Sequence, residues 1–379
     1  MAGIYIHVPF CQKRCIYCDF YSTVSTSKIQ AYVKCLKQEL TSRCAAEGDE
    51  PIETVYFGGG TPSILPPECI EEILDHICRL YSLSDRTAEI TLEANPDDIS
   101  REYINRIRQS GVNRMSIGIQ TFNDRQLAFL NRRHSAQQAI DGVKTCQDCG
   151  IGNISIDLIY GLPGENIEDW LRDIDRAVGL GTQHISSYHL TYEPGTRLHL
   201  LLQQGKISEI DENESFRQFS TLTEKLEQAG FVHYEISNFC KPGYESRHNS
   251  SYWCGKKYIG AGPAAHSFDG QDRRRWNIAN LDKYMERMER NAVYWEEEQL
   301  GKEEKYNEMI ITSLRTRKGL DMQELRMKFG ENYYDYCLKN ARKYLNDGEL
   351  MTLDNGIMKL RKRGIFISDM IMEDLMRID

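Results

Sequence analysis

Six short runs rich in β-branched and aromatic residues recur at regular intervals along the first half of this 379-residue chain, and an amphipathic stretch fills almost every gap between them. The runs cover residues 4–8, 54–57, 89–94, 115–120, 153–160 and 184–190; the stretches cover 29–42, 69–81, 103–109, 136–149 and 167–178. Successive parallel strands need a crossover long enough to hold a helix, so six β-α units in series predict an α/β fold with a parallel sheet. Sites on such sheets and barrels gather where strands end. The chemically loaded residues of this chain fall at those ends. Cys11 follows the first run and Gly58-Gly59-Gly60-Thr61-Pro62 the second; Glu93 and Asn95 close the third, Gln120 the fourth, and Asp157 with Gly161-Leu162-Pro163-Gly164 the fifth.

The first of those ends carries Cys11, Cys15 and Cys18 in C-x3-C-x2-C spacing. Structural zinc takes four ligands, usually from paired C-x2-C units or added histidines, and this loop supplies three thiols and no fourth. Three thiolates suit a four-iron cluster with one iron left open to an exogenous ligand. The plain alternative is three buried apolar thiols; the matching set of residues at the other strand ends favours the cluster.

The chain is long enough for one large domain and a smaller one. A formal charge of −9 argues against a protein that mainly grips nucleic acid, and Arg273-Arg274-Arg275 and the run from Lys359 to Arg363 read as solvated surface. Twelve cysteines without a secretory leader point to a reducing compartment, the cytoplasm by default. No stretch approaches the ~20 apolar residues of a membrane span.

After residue 200 the pattern changes. A helix is expected near 214–228 and a strand at 232–237, followed by a loop carrying His248-Asn249-Ser250-Ser251-Tyr252-Trp253 and a glycine turn at 260–262. The last part reads as two helices and a hairpin, strands 350–353 and 357–360 about the turn Asp354-Asn355-Gly356, whose Asn-Gly pair calls for positive φ at both central positions. That order is winged-helix-like. Without a basic recognition face, docking or dimerisation is the expected role. The divisions fall at 1–200, 201–290 and 291–379. Cys146-x2-Cys149 reads as core packing, Gly260-x-Gly262 as a turn, and Cys240 and Cys254 flank the histidine loop.

The cysteine triad with Tyr17, together with Gly58-Gly59-Gly60-Thr61-Pro62, resembles the radical S-adenosylmethionine (SAM) superfamily. His7-Val8-Pro9-Phe10, Val55-Tyr56-Phe57, Gly118-Ile119-Gln120-Thr121-Phe122, Asp157 to Pro163 and His248-Asn249-x2-Tyr252-Trp253 narrow the likeness to the heme chaperone branch of the oxygen-independent coproporphyrinogen III oxidase-like family. The resemblance implies a partial (β/α)6 barrel with a smaller α+β C-terminal domain. It implies that Cys11, Cys15 and Cys18 ligate a [4Fe–4S] cluster whose open iron takes SAM. Tyr5, Gly59, Gly60, Thr61, Glu93, Gln120, Arg132 and Asp157 match SAM contacts, and His248, in the HNxxYW run, matches a heme ligand. Singly, Glu93 or Asp157 could only cap a helix, and the glycines could be only a tight turn.

The coproporphyrinogen enzymes place a fourth cysteine two residues after the third, where this chain has Phe20. That departure favours a heme chaperone over the decarboxylating enzyme and leaves open whether the chain turns SAM over. The implied partners are heme, an acceptor hemoprotein such as a membrane-associated respiratory one, and an electron donor of the flavodoxin or ferredoxin kind, with a homodimer left open. RNA modification would want a basic groove that the acidic balance does not supply.

Overall fold

The computed structural model describes residues 2–47, 50–83 and 88–378. Strands β1 (Ala2–Val8), β2 (Ile52–Gly59), β3 (Glu89–Ala94), β4 (Arg114–Gln120), β5 (Asn153–Tyr160) and β6 (His184–His189) lie side by side in chain order, all parallel. Helices α1 (Ile29–Glu47), α2 (Pro67–Leu80), α3 (Arg101–Gln109), α4 (Asp124–Phe129), α5 (Ala136–Asp148) and α6 (Ile167–Gly179) are the crossovers. The alternation read from the sequence is therefore the α/β fold observed. The short α4 had no expectation, because six residues give too little periodicity to see. Helix α6 shows how the faces are set: Asn166 caps its first turn by accepting from Asp169 N, and Ile167, Trp170, Ile174 and Ala177 recur on one face and are buried. Trp170 is fully buried, and its indole N–H donates to Gln218 O at 3.0 Å.

The chain continues through α7 (Arg197–Gln203), α8 (Glu212–Gln228), β7 (Val232–Glu235), β8 (Asn238–Cys240), α9 (Arg247–Trp253), β9 (Tyr258–Ala261), β10 (His266–Phe268), β11 (Arg273–Asn277), α10 (Leu281–Glu289) and β12 (Trp295–Gln299). Strands β8 and β7 add antiparallel to the β6 edge. On the other side β9 pairs parallel with β1, and β10, β11 and β12 follow antiparallel. The large sheet thus runs on to Gln299, past the division expected at 290. The HNxxYW run, expected in a loop, is the helix α9. The basic run 273–275 is not simply solvated: Arg274 pairs with Glu308, and the Arg275 guanidinium lies 3.7 Å from the centre of the Trp295 ring.

A separate core is built by α11 (Lys302–Leu314), β13 (Leu320–Asp321), α12 (Met322–Phe329), α13 (Glu331–Asn346), β14 (Leu350–Thr352), β15 (Ile357–Leu360) and, after α14 (Lys362–Phe366), which packs Ile365 and Phe366 on the larger core, α15 (Ser368–Leu375). Its three strands order as β13-β15-β14, the winged-helix-like arrangement. The hairpin turn differs in detail from expectation. Of its two central candidates Gly356 alone has positive φ, at 79°, and the four residues 353–356 close through Gly356 N to Leu353 O at 2.9 Å. No helix among the described residues is long and apolar enough to cross a membrane.

One buried carboxylate fastens the later strands to the first helix. Glu39 of α1 accepts from Gly262 N at 2.8 Å, Asn277 Nδ2 at 2.7 Å and Tyr284 Oη at 2.6 Å, and none of its surface is exposed. Glu39→Ala would leave Gly262 N–H and Tyr284 O–H without an acceptor, while Asn277 Nδ2 keeps Gly262 O; each unpaired donor costs about 1–3 kcal/mol. The expected result is a thermal midpoint lowered by several degrees with the circular dichroism spectrum kept; an unchanged midpoint rejects the anchoring role.

Candidate functional site

Parallel pairing keeps ladder partners on one face of the sheet. Tyr5 pairs with Tyr56, and Tyr56 with Thr91; nearer the strand ends Glu93 pairs with Ser116, Gly118 with Asp157, and Asp157 with Ser186. The intervening Ile4, Ile6, Val55, Phe57, Leu92, Ile117, Ile156 and Ile185 are buried in the apolar core with the crossover helices. The inner face is therefore polar from β1 to β6, as a barrel holding a polar ligand requires and as a dry core does not.

The carboxyls on this face are strongly perturbed. Tyr56 Oη donates to Glu93 Oε1 at 2.8 Å, and Ser116 Oγ lies 3.4 Å from both oxygens of Asp157. Burial pushes Glu93 up to about 7, with the Asp157 charge adding and the Tyr56 and Gly59 hydrogen bonds opposing. Burial likewise pushes Asp157 up to about 6, against hydrogen bonds from Ser186 and Ser116 and the charges of Arg114 and Arg132. Two desolvated carboxyls facing one another are set to receive a cationic or hydroxyl-bearing ligand. Gln120 ends β4 at a register shift with φ 72°, a left-handed conformation that non-glycine residues hold mostly at functional sites.

The cluster loop packs on the end of β2. Cys11 N donates to Thr23 O at 2.9 Å, Ile16 N to Leu130 O at 3.3 Å, and Leu198 N to Ile16 O at 2.8 Å, so separate elements pin the loop. Thr61 Oγ1 lies 3.5 Å from Cys11 Sγ. A Cβ on Gly60 would stand 2.7 Å from Phe10 O and 3.1 Å from Cys11 Sγ. Glycine is required there first by the cluster loop itself. Half-buried Arg132 donates to Cys15 Sγ at 3.4 Å and to Asn95 Oδ1 and Gly118 O, and its buried Nε has no partner among the described residues. That orphaned donor beside the thiols fits an anion.

Among the described residues no three His, Cys, Asp or Glu side chains converge on a single ion. One zinc would need all donors about 2.0–2.3 Å from one point; a cluster spreads its thiolates over separate irons. The loop nonetheless holds the sulfurs within each other's field: burial pushes the Cys18 thiol up to about 11, and Cys15 and Cys11 add to the rise. Three thiols on one loop are a donor set that fits a cluster with one open iron.

His248 lies in the interior. Its side chain is 0% exposed, Nδ1 lies 2.8 Å from Thr54 Oγ1, and Nε2 lies 2.7 Å from Tyr252 Oη. Its ring stacks 5.1 Å from Tyr56, and the Glu89 carboxylate accepts from the N–H groups of Arg247 and His248 at the start of α9. With both nitrogens engaged, His248 in this arrangement offers none to iron; α9 docks on the inner face of the sheet. Of the other cysteines, Cys146, Cys149 and Cys240 are buried, while Cys254 is exposed.

Beside this site lies a cleft of about 1250 Å³, bounded by Tyr5 and His7 of β1, Phe20 of the cluster loop, Trp253, His266 and Phe268, and on its far side by α11 and α12. The sequence reading did not assign Tyr56, Ser116, Ser186 or His266. Tyr56 and Ser116 were legible as polar positions between apolar neighbours in β2 and β4; Ser186, in the polar strand β6, and His266 carried no such signal.

Two outcomes follow from this geometry. Anaerobically reconstituted protein should hold about four iron and four sulfide per chain, and Cys15→Ala should abolish them; full occupancy in that variant rejects the ligand assignment. A raised carboxyl stabilises the fold below its ordinary pKa and loses that contribution as pH rises through its folded value. Cofactor-free protein should therefore lose stability between pH 4.5 and about 7 through Glu93, and Glu93→Gln should flatten that part of the denaturant-midpoint curve. An identical slope in the variant contradicts the burial argument.

Residues 5–177 match the radical SAM superfamily, and residues 300–367 the HemN C-terminal domain. The chain is 33% identical to the heme chaperone HemW of Bacillus subtilis (strain 168), over 88% of each chain. It is 35% identical to the heme chaperone HemW of Mycobacterium tuberculosis (H37Rv), over 99% of this chain and 94% of that one. It is 31% identical to radical S-adenosyl methionine domain-containing protein 1, mitochondrial, of Danio rerio, over 99% and 87%. Among solved structures, coproporphyrinogen III oxidase (HemN) from Escherichia coli superposes with a TM-score of 0.84 at 22% identity, over 99% of this chain and 89% of that one, which shows the shared fold. With its polar-lined parallel sheet, its three-cysteine loop and this similarity along nearly its whole length, the chain belongs to the HemW family of the radical SAM superfamily.

Proposed function

We propose that this chain is a heme chaperone on a radical SAM scaffold: it binds heme next to the cluster and SAM site and passes it to an acceptor hemoprotein in the cytoplasm or at its membrane. The observation that carries the reading is the cleft, which shares Tyr5 and His7 with the inner face of the sheet and is walled by Phe20, the residue standing where the decarboxylating relatives have a fourth cysteine. Its volume exceeds the ~300–1,000 Å³ of ordinary small-molecule pockets; its aromatic lining suits a flat macrocycle, and Arg274, Lys305, Lys318 and Lys328, set among Asp19, Glu308, Asp321 and Glu324, supply cations for acidic edges. The relatives named heme chaperones support the same reading.

Membership of the superfamily gives the chain a [4Fe–4S] cluster and SAM as cofactors. In the proposed arrangement Cys11, Cys15 and Cys18 hold the cluster, and Arg132 Nε faces an anionic group. Glu93, Asp157 and Gln120, with Gly59 to Thr61, surround SAM, which when bound with a reduced cluster supplies radical chemistry or gates the transfer. Tyr56 and Ser116 keep the two carboxyls oriented. Delivery of electrons by a flavodoxin or ferredoxin, and dimerisation through the winged-helix-like unit, complete the proposal.

Transfer and decarboxylation separate in one assay. Cluster-replete protein with SAM and reductant should bind heme stoichiometrically and surrender it to an apo-hemoprotein, and should leave coproporphyrinogen III unconverted when products are chromatographed after oxidation. Repeated turnover to the vinyl product, lost in Cys18→Ala, would make the chain an oxidase.

A further inference from the structure

We propose that His266 is the iron ligand for a metalloporphyrin seated in the cleft, with Lys318 and Arg274 meeting the carboxylates at its edge. The inference rests on the heme reading above and deepens it by naming the group that takes the metal.

Two histidines line the cleft, and they differ in one respect. His7 is fully engaged: Nδ1 lies 3.2 Å from Tyr5 Oη and Nε2 lies 3.0 Å from Tyr21 O. His266 is exposed, and among the described residues neither of its ring nitrogens has a hydrogen-bond partner. Its ring stacks on Trp276 at 6.1 Å, which fixes the ring by one face and leaves its edge open. Strand β10 explains the direction. Ser267 points inward, accepting from Arg43 Nη2 and from Gly260 N, each at 3.0 Å, so its neighbours His266 and Phe268 point the other way, and the antiparallel register sets Trp276 and Arg274 beside them on that face. A neutral imidazole with a free nitrogen is a common axial ligand to heme iron.

The surroundings match a porphyrin. Phe20 is 61% exposed at the cleft wall, an apolar ring left in water unless a ligand covers it. Lys318 makes no ion pair among the described residues; its Nζ lies 3.7 Å from Cys254 Sγ. Arg274 is held by Glu308, which also lines the cleft, so a ligand carboxylate would have to take Glu308's place on that guanidinium. Cys254 is the competing ligand, a thiol exposed to the same cleft.

The test is titration of the full-length protein with ferric heme, read by Soret absorption and paramagnetic resonance. Wild type should give a nitrogen-ligated spectrum. His266→Ala should lose it and bind heme more weakly, by at least the roughly tenfold that loss of an outer-shell partner costs a metal site. Added imidazole should restore the spectrum, which a misfolded variant would not allow, and Lys318→Glu should weaken binding without changing the ligand field. A nitrogen-ligated spectrum that survives His266→Ala but is lost in His248→Ala, or a sulfur-ligated one lost in Cys254→Ala, overturns the inference and leaves the chaperone reading standing. Wild type that binds no heme overturns that reading and the inference with it.

Discussion

The parallel register of β1 to β6 is the constraint from which the site follows. Side chains at every second position share a face, and pairing carries that facing across six strands, with register shifts only at Ala2/Gly3 and at Gly118/Gln120. A strand in an ordinary parallel sheet is apolar on both faces. Here one face is apolar and the other carries Tyr5, Tyr56, Glu93, Ser116, Asp157 and Ser186. A one-residue slip in any of these strands would bury its carboxyls against the helices and turn its isoleucines inward. Fold and ligand site are set by the same hydrogen-bond ladder.

The loop that bears the cysteines depends on that ladder at one point. Gly60 lies where the end of β2 meets the carbonyls of Val8 and Phe10, and a methyl group there would displace the sulfur of Cys11 along with the backbone. The neighbouring Phe20 then acquires a consequence beyond a missing ligand. On the same loop as the three cysteines, this chain exposes an apolar ring to the cleft.

Much of this was legible in the sequence because it is local. Strand and helix periods, the cysteine spacing and the residues at strand ends all lie within a few positions of one another, and β3 and β5 begin and end where the pattern put them. What was not legible depends on groups far apart in the chain. His248 reads as a loop histidine near two aromatics, and its partners come from afar: Thr54 from β2 meets its ring and Glu89 from β3 its backbone N–H. The helix that carries it is seven residues long, too short for a period to declare itself. His266 has the opposite history. Nothing near it in sequence marks it, and only the packing of β10 against β9 and β11 turns it to the cleft.

The pairing of β9 on the outer side of β1 bears on how the chain is made. Strand β1 is synthesised long before β9, yet its two neighbours are β2 and β9, and β9 is Tyr258–Ala261. Until that late segment is synthesised, β1 has an unpaired edge of mostly apolar sequence, the kind of edge that recruits other chains. Long-range pairing of this sort is slow to form. The nascent chain must therefore carry an open sheet, with its cysteine loop attached, until β9 is synthesised, and in that interval the free edge of β1 is exposed to aggregation.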